Sequence, residues 1–251
     1  MKYLTASAMS LTIIQTVSLI ASVLGIVLYE LSIVNLLLIC FGYFLFSGIG
    51  ISLMMHRYWT HRSFKFKSKV VERIFTAIAV LAGRGSPIGW VYVHRLHHAF
   101  SDTPKDPHNS VTVGWRIFIP HIVKYGETID KKLIKDLFNR EHININKYYM
   151  GFIIAWSVLL IAISPELFFF FYAIPVALTF IGLDLFVLLT HKYGYRNFNT
   201  RDDSRNHWFI SLILWGEGWH NNHHHNPGSY TTKIKWWEFD PLAYVIRAIK
   251  I

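Results

Sequence analysis

Three short histidine runs carry most of the chemistry available to this chain: His56-Arg-Tyr-Trp-Thr-His61, His94-Arg-Leu-His97-His98 and His220-Asn-Asn-His223-His224. Neutral imidazole is the commonest side-chain ligand for redox-capable first-row metals. Eight histidines in three tight groups exceed what one ion needs, so the pattern predicts a site for at least two. His94, His97 and His98 stand at i, i+3 and i+4, one face of a helix, and His220, His223 and His224 repeat the spacing. His56 and His61 are five apart, about 140° around an α-helix, and converge best if one helix ends near His56 and His61 lies on the next turn. The single cysteine, Cys40, lies in an apolar run, which excludes an intrachain disulfide and a thiolate metal site. Any metal is therefore held by nitrogen or oxygen.

The elements that must position these residues are membrane helices. The 251 residues are 53% hydrophobic and only 16% charged, where a soluble domain carries about a quarter charged residues. Residues 8–28 and 33–55 are apolar runs near the roughly 20 residues that cross a bilayer. The short link Glu30-Leu31-Ser32 makes them a hairpin. The first run is read as a retained helix and not a signal peptide, because no convincing cleavage site follows it. Residues 148–163 and 167–190 form a second hairpin around Ser164-Pro165-Glu166, with Pro175 expected to kink the last helix. Two hairpins return the chain to its starting side, so His56, the other two clusters and His191, which closes the fourth run, all fall on one membrane face.

The net charge is +10, and the segments 3–55 and 148–190 contain no Lys or Arg. By the positive-inside rule the basic segments 56–147 and 191–251 form a cytoplasmic cap. Their many Trp, Tyr and His residues argue against nucleic-acid binding. The expected architecture is an all-α integral membrane protein with four spans and a helical cap, a single domain over 1–251. Val70–Ala82 reads as an interfacial amphipathic helix ended by Gly83-Arg84-Gly85-Ser86-Pro87, and Lys131–Arg140 as a charged, exposed helix. His108, His121, His142 and His207 are read as structural or solvated, and His225 as pointing away from its cluster's metal face.

At this point the residues resemble a known family. HRYWTHRSF at 56–64, GSPIGWVYVHRLHHAFSDTPKDPHN at 85–109, YGYRNF at 193–198, GEGWHNNHH at 216–224 and WWEFDP at 236–241 are similar to the motifs of membrane fatty acid desaturases of the stearoyl-CoA type, with a bacterial-like segment after Asn109. The resemblance covers nearly the whole chain in order. It implies nine histidines around two iron ions: the eight above and His191. The family usually has an asparagine four residues before this ninth histidine; here that position is Val187. Asp184, one turn further back and about 10 Å of helix rise from His191, is an intramembrane acid and a functional candidate by default.

The resemblance also implies an O₂-dependent reaction that inserts a cis double bond, most often at the ninth carbon, into a saturated acyl chain carried by coenzyme A, acyl-carrier protein or a membrane lipid. Selectivity among equivalent methylenes would come from a bent apolar tunnel, with Phe41, Phe44 and Phe46 as candidate walls. Glu217, Asp102, Asp106 and Asp240 are candidates to fix imidazole tautomers, Asn221 and Asn222 to bond within the third cluster, and Trp90 and Trp219 to pack the cap onto the interface. No haem, flavin or iron–sulfur motif is present, so electrons are expected from an external donor such as cytochrome b5 or ferredoxin, with the basic surface suited to an acidic one. A related di-iron hydroxylase, a non-enzymatic metal-binding membrane protein and a zinc hydrolase are the alternatives.

Overall fold

The computed structural model describes residues 2–119 and 130–251. His121 lies outside the described residues. Among them the chain is helical, without a strand. Four helices are long and apolar enough to cross a membrane: Met9–Leu28, Ile33–Thr60, Arg140–Ile163 and Pro165–Thr190. The first belongs to α1 (Lys2–Leu28). The second is α2 (Ile33–Tyr43), continued without a break by a π-helical stretch, Phe44–Thr60. Between the hairpins come α3 (Lys69–Leu81), α4 (Pro87–Phe100), the short α5 (Ser110–Val113) and two 3₁₀ turns, Gly114–Phe118 and Lys131–Leu137. The third span is α6 (Arg140–Ile163), eight residues longer at its start than the apolar run. The fourth is built from α7 (Pro165–Leu167), a π-helical stretch Phe168–Ala173 and α8 (Ile174–Thr190). The last segment carries α9 (Trp208–Ile213), α10 (His220–His225) and α11 (Pro241–Ile249).

Local sequence sets several of these starts. Ser86-Pro87, Ser164-Pro165 and Asp240-Pro241 each place a capping oxygen before a proline in the first turn, and each side chain accepts the expected backbone N–H. The two hairpin turns lie at the same end of the molecule. The Asn35 side chain donates both to the Glu30 carbonyl and to Glu166 Oε1, each at 2.8 Å, and so ties one turn to the other. Helices approach closely where side chains are small: a Cβ at Gly42 would collide with the Phe171 carbonyl and Pro175. The distortion expected at Pro175 takes the form of the π-helical stretch immediately before it.

Two cap segments differ from the sequence reading. Lys131–Arg140 is not one exposed helix. A 3₁₀ turn buries Ile134 and Leu137, and α6 starts separately at Arg140, capped by Asn139. Asp136 in that turn takes charged bonds from Arg95 (2.7 Å) and Arg62 (2.7 Å), while Arg95 also donates to the Trp59 and Thr60 carbonyls. Arg95 thus joins α4 to the end of the second span. Burial works against the Asp136 charge, but the bonds from Arg95 and Arg62 outweigh it and hold the carboxyl down to about 2. A depressed acid stabilises the fold above its ordinary value and loses that contribution as the pH falls through its native one. The difference in melting temperature between the protein and Asp136→Asn is therefore expected to be constant above about pH 4 and to vanish towards pH 2.

The second segment is 208–215, which the sequence places in the cap. It dips beside the spans instead: Tyr43 donates its hydroxyl to the Ile213 carbonyl at 2.9 Å, Trp215 packs on Phe44, and Leu214 lies against Gly182. Gly182 is nine residues before His191, about 13 Å down the helix. Trp208, Phe209 and Leu212 are exposed on this segment.

Candidate metal centre

The second span delivers His56 and His61 through its π-helical geometry. The His61 backbone N–H donates to the His56 carbonyl at 3.1 Å, an i to i+5 bond. Five residues therefore make about one turn, and the two rings meet with centroids 4.7 Å apart. The helix runs on to Thr60, with His61 as its C-cap, and does not end near His56. α4 presents His94, His97 and His98 at i, i+3 and i+4, and α10 presents His220, His223 and His224 in the same way. His191 follows the last residue of α8.

These nine residues gather into two groups. His56, His61, His94, His98 and His223 form one; His97, His191, His220 and His224 form the other. Within each group one nitrogen from every ring lies within 4.8 Å of all the others. The contacts are between Nε2 atoms: His56–His223 3.0 Å, His223–His98 3.0 Å, His98–His94 3.1 Å and His191–His220 3.0 Å. Two ligands at right angles around one ion, with metal–nitrogen bonds of about 2.1 Å, stand about 3 Å apart. His61 Nε2 and His224 Nε2 are buried without a hydrogen-bond partner. A buried acceptor without a donor is costly, and a metal ion is the partner that this donor set fits.

Four carboxylates turn the rings so that Nε2 faces inward. His56 Nδ1 lies 2.6 Å from Glu217, His97 Nδ1 2.9 Å from Asp106, His191 Nδ1 3.0 Å from Asp102 and His224 Nδ1 2.8 Å from Asp202. An N–H donated from Nδ1 leaves the Nε2 lone pair free for a metal. Burial first, and then the neighbouring histidines, lower His61, His94, His98, His220 and His223 well below 6.5. Burial brings His224 down to about 4 against the opposing pull of Asp202. These rings are therefore neutral at pH 7, as ligands must be. The carboxyls move oppositely. Burial would raise Asp102, Asp106, Asp202 and Glu217, but their bonds to histidines and, for Glu217, the charge of Arg57 keep them below the ordinary range.

The glycines of Gly216-Glu217-Gly218 place Glu217. Gly216 has φ +102 with Asp240 pressed against it, and Gly218 lies against the Ser211 N–H and the His207 carbonyl, so a side chain fits at neither. Asp102 holds a left-handed φ of 62, and its carboxylate both receives His191 and caps the Asp203 N–H. An aspartate tolerates that conformation better than most residues.

Several side chains act elsewhere than the sequence reading put them. Asp240 touches no histidine. It accepts two bonds from Arg57 Nη1, at 3.0 and 2.9 Å, and caps α11. Arg57 also donates to Glu217 at 3.0 Å, so a fully buried guanidinium braces the carboxylate that holds His56. Asn221 and Asn222 bond outward, to the 197–204 loop, Asn206, the Thr232 carbonyl and Glu238, and so dock α10 without touching a ring. Trp219 is buried and donates to the Phe239 carbonyl, while Trp90 stacks on His94. The half-buried His108 has its ring centroid 6.0 Å from that of His97, His142 bonds Asn139, His207 caps α9 and His225 stacks on Phe198.

Sequence reasoning missed Arg57 and Asp202. Asp202 lies in an Arg-Asp-Asp-Ser loop with the look of an ordinary exposed turn. Asp202→Ala is expected to weaken metal retention by about 10- to 100-fold, measured by titrating purified protein with a chelator, while Asp203→Ala leaves it unchanged.

A cavity of about 150 Å³ reaches the imidazoles of His56, His94, His97, His191 and His220. Ile51, Trp90, Val93, Phe180, Leu183 and Val187 give it apolar walls, and Arg84 and Asp184 are charged members of its lining. Phe41, Phe44 and Phe46 are not among its walls. Phe41 is exposed on the outer surface, Phe44 packs on Trp215, and Phe46 is buried against Phe171 and Tyr172. Val187, at the position of the family's asparagine, is a wall residue, and Asp184 stands 3.5 Å from Arg84 without contacting a histidine.

The family model for Fatty acid desaturase matches residues 32–249. The chain belongs to the fatty acid desaturase family. Among curated relatives it is 36% identical over 225 residues to an sn-1 stearoyl-lipid 9-desaturase of Synechocystis sp., covering 83% of this chain and 67% of that one. It is 33% identical to an acyl-CoA C20 Delta5-desaturase of Anemone leveillei (84% and 70%) and 32% identical to Delta-9 acyl-lipid desaturase 1 of Arabidopsis thaliana (82% and 69%). The chain is thus a membrane oxidoreductase, a fatty acyl desaturase, and its histidine clusters are those of a family that uses metal.

Proposed function

We propose that the whole chain is one catalytic unit that introduces a cis double bond at the ninth carbon of a saturated acyl chain, on the cytoplasmic face of a membrane. The observation that carries this reading is the pair of inward-facing imidazole groups at the end of an apolar cavity. His56, His61, His94, His98 and His223 would hold one iron, and His97, His191, His220 and His224 the other. Iron held by these residues would supply the activation of O₂ needed to remove two hydrogens from an unactivated chain, with electrons from an external donor such as cytochrome b5 or ferredoxin.

The protein's own part is positional. Ile51, Val93, Leu183 and Val187 hold methylenes beside the rings by shape alone, because neighbouring methylenes offer no chemical difference to recognise. Glu217, Asp106, Asp102 and Asp202 keep four imidazoles in one tautomer and orientation. The same apolar walls exclude water from the reacting carbons. The basic residues of the cap support both a cytoplasmic orientation and an acidic electron donor.

The test is expression in a host lacking its own desaturase, with gas chromatography–mass spectrometry of total acyl chains. New cis-monounsaturated chains are expected. A new hydroxylated chain without a double bond would replace this reading by hydroxylation, and unaltered acyl chains beside a metal-loaded protein would sink it.

A further inference from the structure

Helix α3 descends beside the second span. Near its start the Tyr58 hydroxyl donates to Glu72 Oε1 at 2.6 Å. Near its end Ala79 and Ala82 crowd Gly50, where an added Cβ would come within 3.3 and 3.0 Å of them. Tyr58 and Gly50 belong to one span, Ile33–Thr60. Gly50 is 17 residues from Ile33 and Tyr58 is 25, at most about 26 and 38 Å along the helix. The hydrocarbon core is about 30 Å deep. α3 therefore starts at head-group level and ends inside the hydrocarbon. Its inner face packs on the second and third spans and buries Ala79 and Val80. Its outer face is Val70, Arg73, Ile74 and Ala77, an i, i+3, i+4, i+7 stripe that is exposed throughout. Val70 is 66% and Ile74 53% exposed, and at this depth the tails of lipids cover them.

Cations crown this stripe. Burial alternates through segment 64–67: Phe64 and Phe66 are buried, while Lys65 and Lys67 are exposed on the other side. The segment pairs with the end of α11. The Lys67 N–H donates to the Ile249 carbonyl and the Ile251 N–H to the Lys65 carbonyl, each at 2.9 Å. This sets both lysines beside α11, whose exposed face carries Tyr244 and Arg247. The nearby acids are engaged elsewhere. Glu72 accepts from Tyr58 and from Lys69 at 2.8 Å, and Asp240 accepts from the buried Arg57. Lys65, Lys67 and Arg247 have no ion-pair partner among the described residues. None of these exposed residues lines the cavity beside the imidazoles, so a molecule held here is out of reach of the metal centre. Cations at head-group depth above an apolar stripe fit a phospholipid of net negative charge. Its phosphate sits among the cations, which such lipids attract, and a tail lies along Val70, Ile74 and Ala77. An acidic protein would meet the charges but not the stripe below them.

We infer that α3, segment 65–67 and α11 form a binding surface for an anionic phospholipid of the cap-side leaflet, with Lys65, Lys67, Arg73 and Arg247 around its phosphate. The lipid is a structural partner and not the substrate. It braces the start of α3, which leads through Gly83–Ser86 into α4 and so to His94, His97 and His98.

The test is native mass spectrometry of the full-length protein released from nanodiscs that hold equal amounts of palmitoyl-oleoyl phosphatidylglycerol and phosphatidylcholine. The unsubstituted protein is expected to retain the glycerol lipid in preference by on the order of 100-fold. K67Q/R247Q lowers that preference about 25-fold, fivefold for each cation lost. K131Q/K132Q, which removes two exposed cations from the Lys131–Leu137 turn, leaves it unchanged. Helix content and gel filtration check that the variants fold. A phosphatidylglycerol with a diazirine in one tail is expected to cross-link to Val70, Ile74 or Ala77. Equal retention of the two lipids by the unsubstituted protein, an unaltered preference in K67Q/R247Q, or cross-links confined to other helices would each overturn the surface. Release of the lipid by soluble glycerol phosphate would overturn it too, because that ligand uses no apolar stripe. Release by an acidic electron carrier such as cytochrome b5 would give the surface to that partner instead.

Discussion

Alanine at His97 is expected to eliminate the unsaturated product and to halve the metal content of the purified protein. His97 belongs to the smaller group, which has four imidazoles, and its removal leaves three. The His61 group has five, so His61→Ala leaves four. The two variants therefore separate ligand number from general damage. His97→Ala should lose more than about 100-fold of its turnover, beyond the range for loss of an outer partner, while His61→Ala retains both metals and measurable product. The readouts are metal by mass spectrometry on purified protein and product by gas chromatography. Equal loss in both variants would mean that the two groups do not act as two sites. Asp106→Asn is the matching control: it keeps the hydrogen bond to His97 Nδ1 but removes the charge, and an intermediate loss of about 10-fold is expected.

Arg57→Met is expected to cost more stability than any single histidine variant. The guanidinium is fully buried and pairs with two buried carboxylates, Glu217 at 3.0 Å and Asp240 at 2.9 Å. Removing one partner of a buried charge set costs about 3–5 kcal/mol, because the remaining charges stay buried and uncompensated. Here two carboxylates are left. The consequence reaches the metal centre, since Glu217 also holds His56 at 2.6 Å. Thermal unfolding in detergent measures the loss. The double variant Arg57→Met with Asp240→Leu should recover part of it by removing one stranded charge, and recovery of none would show that Arg57 acts through its bond to the Tyr230 carbonyl instead.

The two hairpins and the gathering of the nine histidines were legible in the sequence because both depend on local pattern: apolar length, charge-free runs and i, i+3, i+4 spacing. The HxxxxH spacing was legible as a problem and not as its solution. Nothing in the residues Phe44–Thr60 marks a π-helix. Asp240 and Asp202 illustrate a second limit. Each is one acid among fifteen, and which acid reaches a histidine depends on how the last sixty residues fold back. The Gly216-Glu217-Gly218 triplet was the one local clue, since two glycines around a buried acid signal backbone crowding. The phenylalanine walls failed for a similar reason. Aromatic residues in a span pack equally well on lipid, on another helix or on a ligand, and periodicity does not separate these. The inserted segment 208–215 was hidden by its length, too short to register as a span while apolar enough to enter one.

The four carboxylates on the histidine rings have an electrical meaning beyond orientation. Glu217, Asp106, Asp102 and Asp202 each contribute one negative charge, while Arg57 and Asp240 cancel each other. With neutral imidazole ligands, two divalent cations held there would balance those four charges and leave the centre electroneutral at the edge of a low-dielectric medium. Without the cations, four like charges are confined in one small volume, where repulsion is much stronger than in water. Binding of a pair of doubly charged ions would relieve that repulsion.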